Sequence, residues 1–182
     1  ASSAQAICLK VVVPRDTLRV STYCFLSTIA SARGRTDEAA DFARQALAID
    51  ELHYGRESIQ FASALHQLAM VEYSRGQLRK AEELARQSSA IFSRKEGLYG
   101  PSMGGNYYAL ALVQREQGRY SEAEESIRAA LTCIGNTQLS PDQNYDASTY
   151  LSTLASILDE QNRSAEAIPL YRRALDICTR LG

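Results

Sequence analysis

A short pattern returns along this chain at a fixed spacing, and nothing else in the sequence limits the fold as much. Gly34-Arg-Thr-Asp-Glu-Ala39, Gly76-Gln-Leu-Arg-Lys-Ala81 and Gly118-Arg-Tyr-Ser-Glu-Ala123 stand 42 residues apart, and Asn162-Arg-Ser-Ala-Glu-Ala167 follows 44 residues later. Eight positions before each turn residue stands a leucine: Leu26, Leu68, Leu110 and Leu154. The next position is small in every case (Ser27, Ala69, Ala111, Ala155), and so is the twelfth after the turn (Ala46, Ser88, Ala130, Ala174). Tyr23, Leu65, Tyr107 and Leu151 fill the eleventh position before it. A period of this length means stacked supersecondary units, none of which buries its apolar face alone.

The recurring residue types predict helix against helix. Small residues let two antiparallel helices approach closely, and the leucines and aromatics fill the space beside the contact. The Gly or Asn marks the end of the first helix, where a left-handed residue is needed. The second helix is expected to open on cap-like residues, as in the capping-box spacing of Ser121-Glu-Ala-Glu124. Pro141 fits a first-turn position, and Pro169 falls early in the last helix. Glu38, Glu122, Glu124 and Glu125 read as solvated carboxylates at the starts of second helices, favoured by the helix dipole.

The combined pattern, read from Tyr107 through Ala130, resembles the tetratricopeptide repeat. The unit is longer than the usual repeat, with the extra residues after the second helix, as in Ile49–Gly55 and Phe92–Pro101. That spacing is similar to the kinesin-light-chain-type subgroup. The resemblance implies an all-α, right-handed superhelical solenoid of antiparallel helix pairs. Two departures stand out. The aromatic before the turn is replaced by Ala30, Glu72, Gln114 and Leu158, and the turn aromatic survives only as Tyr120, with Thr36, Leu78 and Ser164 elsewhere.

Residues 1–182 divide into one array: repeats at 17–56, 57–98, 99–140 and 141–182, preceded by 1–13. The opening Ala1–Ile7 aligns with Ala43–Ile49 and with Ala85–Ile91, so 1–13 reads as the remnant of a preceding repeat's second helix, cut from a longer protein; the alternative is a short extension with Leu9–Val13 as a β-prone strand. That remnant is expected to be helical and packed on the first full repeat.

Composition narrows the function. The chain carries 20 Lys+Arg against 21 Asp+Glu, a net charge of −1, so bulk electrostatics attract neither nucleic acid nor an anionic membrane. The arginines are scattered rather than striped. The cysteines Cys8, Cys24, Cys133 and Cys178 form no C-x-x-C pair and lie in apolar helical patterns, where a thiol acts as a small hydrophobe. With two histidines, His53 and His66, there is little for a catalytic or metal site, and no cofactor motif occurs. Gly100-Pro-Ser102-Met-Gly104 matches G-x-S-x-G, but a nucleophile elbow needs a strand before the serine and a histidine after it. A helix start after a Gly/Pro linker explains it better. Asn162-Arg-Ser164 matches a glycosylation sequon and is better explained as the helix-ending turn.

Function is therefore expected in binding, without enzymatic activity or cofactor. In the family that the sequence resembles, first helices build the concave wall, and the chaperone-binding members use Lys and Asn there to clamp a terminal carboxylate. This chain lacks that pattern. Outward positions on its first helices give a groove of His66, Met70, Tyr73, Tyr108, Leu112, Arg115, Ser152, Ser156 and Asp159, apolar and aromatic at the centre. Cys24, Thr28 and Ser31 hold the equivalent places in the first repeat. The sequence thus suggests a cytoplasmic protein- or peptide-binding scaffold. The alternative is a ligand-sensing segment of a signalling or transcription-regulating protein. Partners are proteins or peptides, not nucleic acid or membrane, with self-association through uncapped ends as a further route.

Overall fold

In the computed structural model, residues 15–100, 102–135 and 141–181 are described. Among them are eight helices: α1 (Arg15–Ala32), α2 (Thr36–Tyr54), α3 (Ile59–Ser74), α4 (Leu78–Glu96), α5 (Met103–Glu116), α6 (Tyr120–Ile134), α7 (Pro141–Glu160) and α8 (Ser164–Leu181). Each packs chiefly on its neighbours in the chain, and α1, α3 and α5 also touch in succession. This is an all-α solenoid of helix pairs. Residues 1–13, expected to be a helical remnant, lie outside the described residues.

The turn inside each pair is the same device four times. Gly34, Gly76 and Gly118 sit at φ 72°, 73° and 75°, and Asn162 reaches 61°. In each, the amide just past the turn residue closes back on the helix: Arg35 N–H donates to Ala30 O, Gln77 to Glu72, Arg119 to Gln114 and Arg163 to Leu158, all at 2.9 Å. These are the paired bonds of a Schellman ending, which only Gly, or Asn at some cost, accommodates.

A second glycine ends the second helices. Gly55, Gly97 and Gly135 combine φ of 77°, 86° and 76° with ψ of 165°, 171° and −179°, a backbone region that is essentially glycine-only. A Cβ at Gly97 would meet nothing within 4 Å, so a substitution there is opposed by the backbone alone. Gly97→Ala is expected to lower the unfolding free energy by about 1–3 kcal/mol, read from urea denaturation.

The small positions form the seams. Ala39, Ala81, Ala123 and Ala167 are buried, as are Ala46, Ser88, Ala130 and Ala174. Where serine replaces alanine it donates across the seam: Ser27 Oγ to Ala39 O at 2.9 Å, and Ser88 Oγ to Ala62 O at 2.7 Å. The position that lacks the family aromatic is also interior throughout, at 2% exposure for Ala30, 0% for Glu72, 5% for Gln114 and 1% for Leu158. Glu72 accepts from Lys80 Nζ at 2.6 Å and Arg75 Nη1 at 2.8 Å, with Arg44 at 3.5 Å, and Gln114 bonds Ser126 at 2.8 Å.

Between repeats the structure corrects two expectations. Helix α6 opens at Tyr120 with Arg119 in the cap position and no side-chain cap, so Ser121 and Glu124 do not form a capping box. Glu124 is not a solvated carboxylate either. It accepts from Arg163 (2.7 Å) and Gln161 (3.2 Å) of the next pair and from Arg128 (2.7 Å) one turn along α6. Glu82 repeats the arrangement with Arg119, Gln117 and Arg86. Three charged or amide donors hold a carboxylate better than one backbone amide does. Burial pushes both carboxyls up, but the donors outweigh it and hold each below its ordinary value. Glu124→Ala should cost about 1–2 kcal/mol, a loss that shrinks in high salt, measured by paired melts at low and high ionic strength.

Other details also differ from the expectation. Cys178 is exposed, whereas Cys24 and Cys133 are partly buried. Pro169 lies beyond the first turn of α8, so Ala165 O loses a helix donor on an exposed face. Ser102 stands in the cap position before α5 and gives its N–H and Oγ to Glu96 at 3.1 and 3.0 Å, which occupies the serine of the G-x-S-x-G match.

Candidate functional site: the face of the first helices

Helices α3, α5 and α7 bring the sequence-selected positions to one surface, and the structure joins several of them. Tyr73 Oη donates to Glu116 at 3.5 Å; Glu116 pairs with Arg115 at 3.1 Å; Arg115 reaches Glu160 at 3.7 Å; Ser156 Oγ donates to Glu160 at 3.3 Å. One polar chain therefore crosses three repeats. Burial acts most on Arg115 and lowers its pKa, but the carboxylates around it leave the guanidinium above its ordinary value. Burial, then Glu116, pushes the Tyr73 hydroxyl up.

Arg115, Ser152 and Ser156 also line an open groove of about 420 Å³, together with Tyr145, Thr149 and Cys178. Tyr145 and Thr149 were not among the selected residues. They stand on the same face of α7, two turns and one turn before Ser152, so helical spacing alone could have found them.

Other selected residues turn inward. Tyr108 stacks on buried Tyr150 with centroids 5.1 Å apart, and burial pushes its hydroxyl up while a hydrogen bond with Thr153 opposes the shift. Leu112 is 8% exposed, making it floor rather than projection. Met70 is partly buried against Ala69, Ala85 and Leu110. Asp159 is exposed but accepts from Ser164 Oγ at 2.5 Å, which ties it to the turn into α8.

His66 starts a chain that sequence reasoning missed. Its Nδ1 lies 3.1 Å from Asn106 Oδ1, Asn106 Nδ2 donates to Ser88 Oγ at 3.0 Å, and Ser88 donates to Ala62 O. Since Asn106 has given its N–H to Ser88, its oxygen faces the ring and Nδ1 carries the proton. Burial lowers the His66 pKa, with the Asn106 bond opposing, which keeps the ring neutral at pH 7. Asn106 and Ser88 are fully buried, and no periodicity marks such a pair. Among the described residues no group of three His, Cys, Asp or Glu side chains is placed to hold a metal, and no helix is long and apolar enough to cross a membrane.

Comparison with known proteins places this architecture. Models described as tetratricopeptide repeat match residues 19–60, 60–134 and 108–180. No curated protein matches the sequence. Among solved structures, BtubC (BKLC) from P. vanneervenii superimposes with TM-score 0.75 at 21% identity, over 95% of this chain and 68% of that one. A Podosopora anserina putative kinesin light chain with nearly identical TPR-like repeats gives 0.72 at 22%, over 89% and 76%. The apo form of RapI gives 0.72 at 17%, over 96% of this chain and 61% of RapI. At these identities the superpositions show a shared fold. With the three repeat models spanning residues 19–180 over four Schellman-closed helix pairs, the chain belongs to the tetratricopeptide repeat family.

Proposed function

We propose that this array is a non-enzymatic scaffold that binds a protein segment or peptide along the face of its first helices. The observation that carries the reading is the polar chain from Tyr73 to Ser156, which borders the hydroxyl-lined groove at Arg115. A surface ordered in this way before binding loses little entropy when a ligand arrives. Tyr73, Arg115, Ser152 and Ser156 supply directional contacts, and Met70, Tyr108 and Leu112 supply the apolar floor. His66 and Asp159 flank the two ends.

The test is to select binders from a random peptide library and measure them against point variants. Tyr73→Ala and Arg115→Ala should each weaken selected peptides about tenfold or more at unchanged melting temperature. Peptides that tolerate both changes and shift backbone amides of α2, α4 and α6 would place binding on the other face.

A second reading, self-association, rests on the outer face of α8. Ile168, Tyr171 and Leu175 are exposed by 50%, 43% and 63%. The matching places on α6, filled by Glu124, Ile127 and Leu131, are covered by α7. This face suits the first helix of a repeat from a second copy. Sedimentation should show a concentration-dependent dimer that Tyr171→Glu abolishes; a wild-type chain that stays monomeric sinks the idea.

A further inference from the structure

Near the end of each second helix, Asp50, Phe92, Ile134 and Cys178 hold the same place in the repeat. Phe92 is buried, and so is Asp50, at 4% exposure. His53, one turn along α2, bears on the Asp50 carboxylate and opposes the effect of burial. A carboxylate set among apolar side chains is costly, and neighbouring repeats show that an apolar side chain fits the position.

Asp50 borders an open cavity of about 310 Å³ between α1, the end of α2 and the start of α3. Val20, Cys24, Tyr54 and Ile59 make its walls apolar, and Ser63 stands at the edge. The size lies at the lower end of ligand pockets. Cys24 occupies in the first repeat the place that His66, Tyr108 and Ser152 hold in the others, so the cavity opens on the first-helix face. Burial pushes the Asp50 carboxyl up, with His53 opposing; burial, then Asp50, pushes the Cys24 thiol up. A carboxylate in apolar surroundings is stabilised by a positive charge brought alongside it.

We propose that this cavity receives a lysine or arginine side chain of a bound peptide, its aliphatic stem against Val20 and Ile59 and its cationic head on Asp50. Long basic side chains bury their methylenes while keeping the head paired, and a charge-assisted bond in a partly dry site is stronger than one on the surface. A neutral or anionic group of the same size gains nothing from Asp50. The proposal rests on the reading that the first-helix face takes a peptide, and adds which side chain anchors its N-terminal-repeat end.

The probes are N-acetyl-lysine N-methylamide, its norleucine counterpart and n-butylammonium, titrated into the 182-residue chain while amide shifts around Ser21 and Ser63 are followed by NMR. The lysine diamide should saturate these shifts, and the norleucine compound should bind at least tenfold more weakly. Asp50→Asn, nearly the same in shape, should lose the lysine preference while melting close to wild type. Should Asp50→Asn fail to fold, Ser63→Phe, which narrows the cavity and keeps Asp50, must also abolish binding. Equal binding of lysine and norleucine compounds, or undiminished lysine binding by Asp50→Asn, overturns the proposal. Binding of butylammonium without the lysine diamide overturns the peptide source in favour of a free amine. Library peptides that depend on Tyr73 and Arg115 but not on Asp50 would sink this inference and leave the broader reading standing.

Discussion

Leu154→Ala is expected to lower the unfolding free energy by about 3–5 kcal/mol, while Leu26→Ala costs about 1 kcal/mol or less. The two leucines hold the same place in their repeats and lose the same atoms. Leu154 is 3% exposed and sits in the largest apolar cluster, with Ala111, Ile127 and Tyr150 around it. Leu26 is 37% exposed. Removing Leu154 loses its transfer energy and leaves a cavity lined by side chains that α7 and α6 hold in place. Leu68 and Leu110, at 4% and 8%, should behave like Leu154. Chemical denaturation of all four alanine variants checks the series. In a repeat array the transition can broaden, so the loss is read from a fit that allows unequal repeats rather than from one midpoint. Equal losses at Leu26 and Leu154 would mean that burial does not set the energy.

The second large effect concerns Glu72, whose carboxylate is fully buried in α3. Burial alone pushes its pKa up, but the bonds from Lys80 and Arg75 outweigh that and leave it below 4.5. The wild-type contribution is therefore present above the unfolded value of 4.5 and fades as pH falls through the lowered folded value. Replacing both Lys80 and Arg75 with Met should cost about 3–5 kcal/mol at neutral pH, because it strands a buried charge with only Arg44 at 3.5 Å. In that variant burial dominates and the folded pKa rises above the unfolded one. The penalty is then largest at neutral pH and is relieved as pH falls through the raised value. Wild type and variant should thus show opposite slopes of stability against pH on the acid side. Parallel slopes would show that Glu72 is not held by these two donors.

The architecture was legible because it is written in columns. Leucine, small residue, turn glycine and small residue recur at one spacing, and each answers to a local demand: a helix ending, a close seam, a filled gap. Asn162 was readable as a glycine substitute, and the four matched turn bonds follow from it and its three counterparts. The groove was legible only in part. Arg115, Ser152 and Ser156 line one surface, whereas Leu112, Met70 and Tyr108 lie largely in the floor, since helical spacing gives direction but not depth. Glu124 was misread as a cap because the arginine that claims it comes from the following repeat.

By itself, then, the sequence determined the period, the helix pairs, the turns and the small-residue seams, all of which depend on residues within one repeat. Tertiary structure alone decided what each polar residue inside that frame does. Glu72, Gln114 and Leu158 share a column and are all buried, yet one is an ion-paired carboxylate, one a hydrogen-bonded amide and one plain core. Asp50 shares a column with Phe92 and ends beside an open cavity with apolar walls. The physical reason is one of range. Backbone geometry and side-chain size act within a turn or a pair, whereas the partner of a buried charge is supplied by whichever helix the stacked repeats bring alongside.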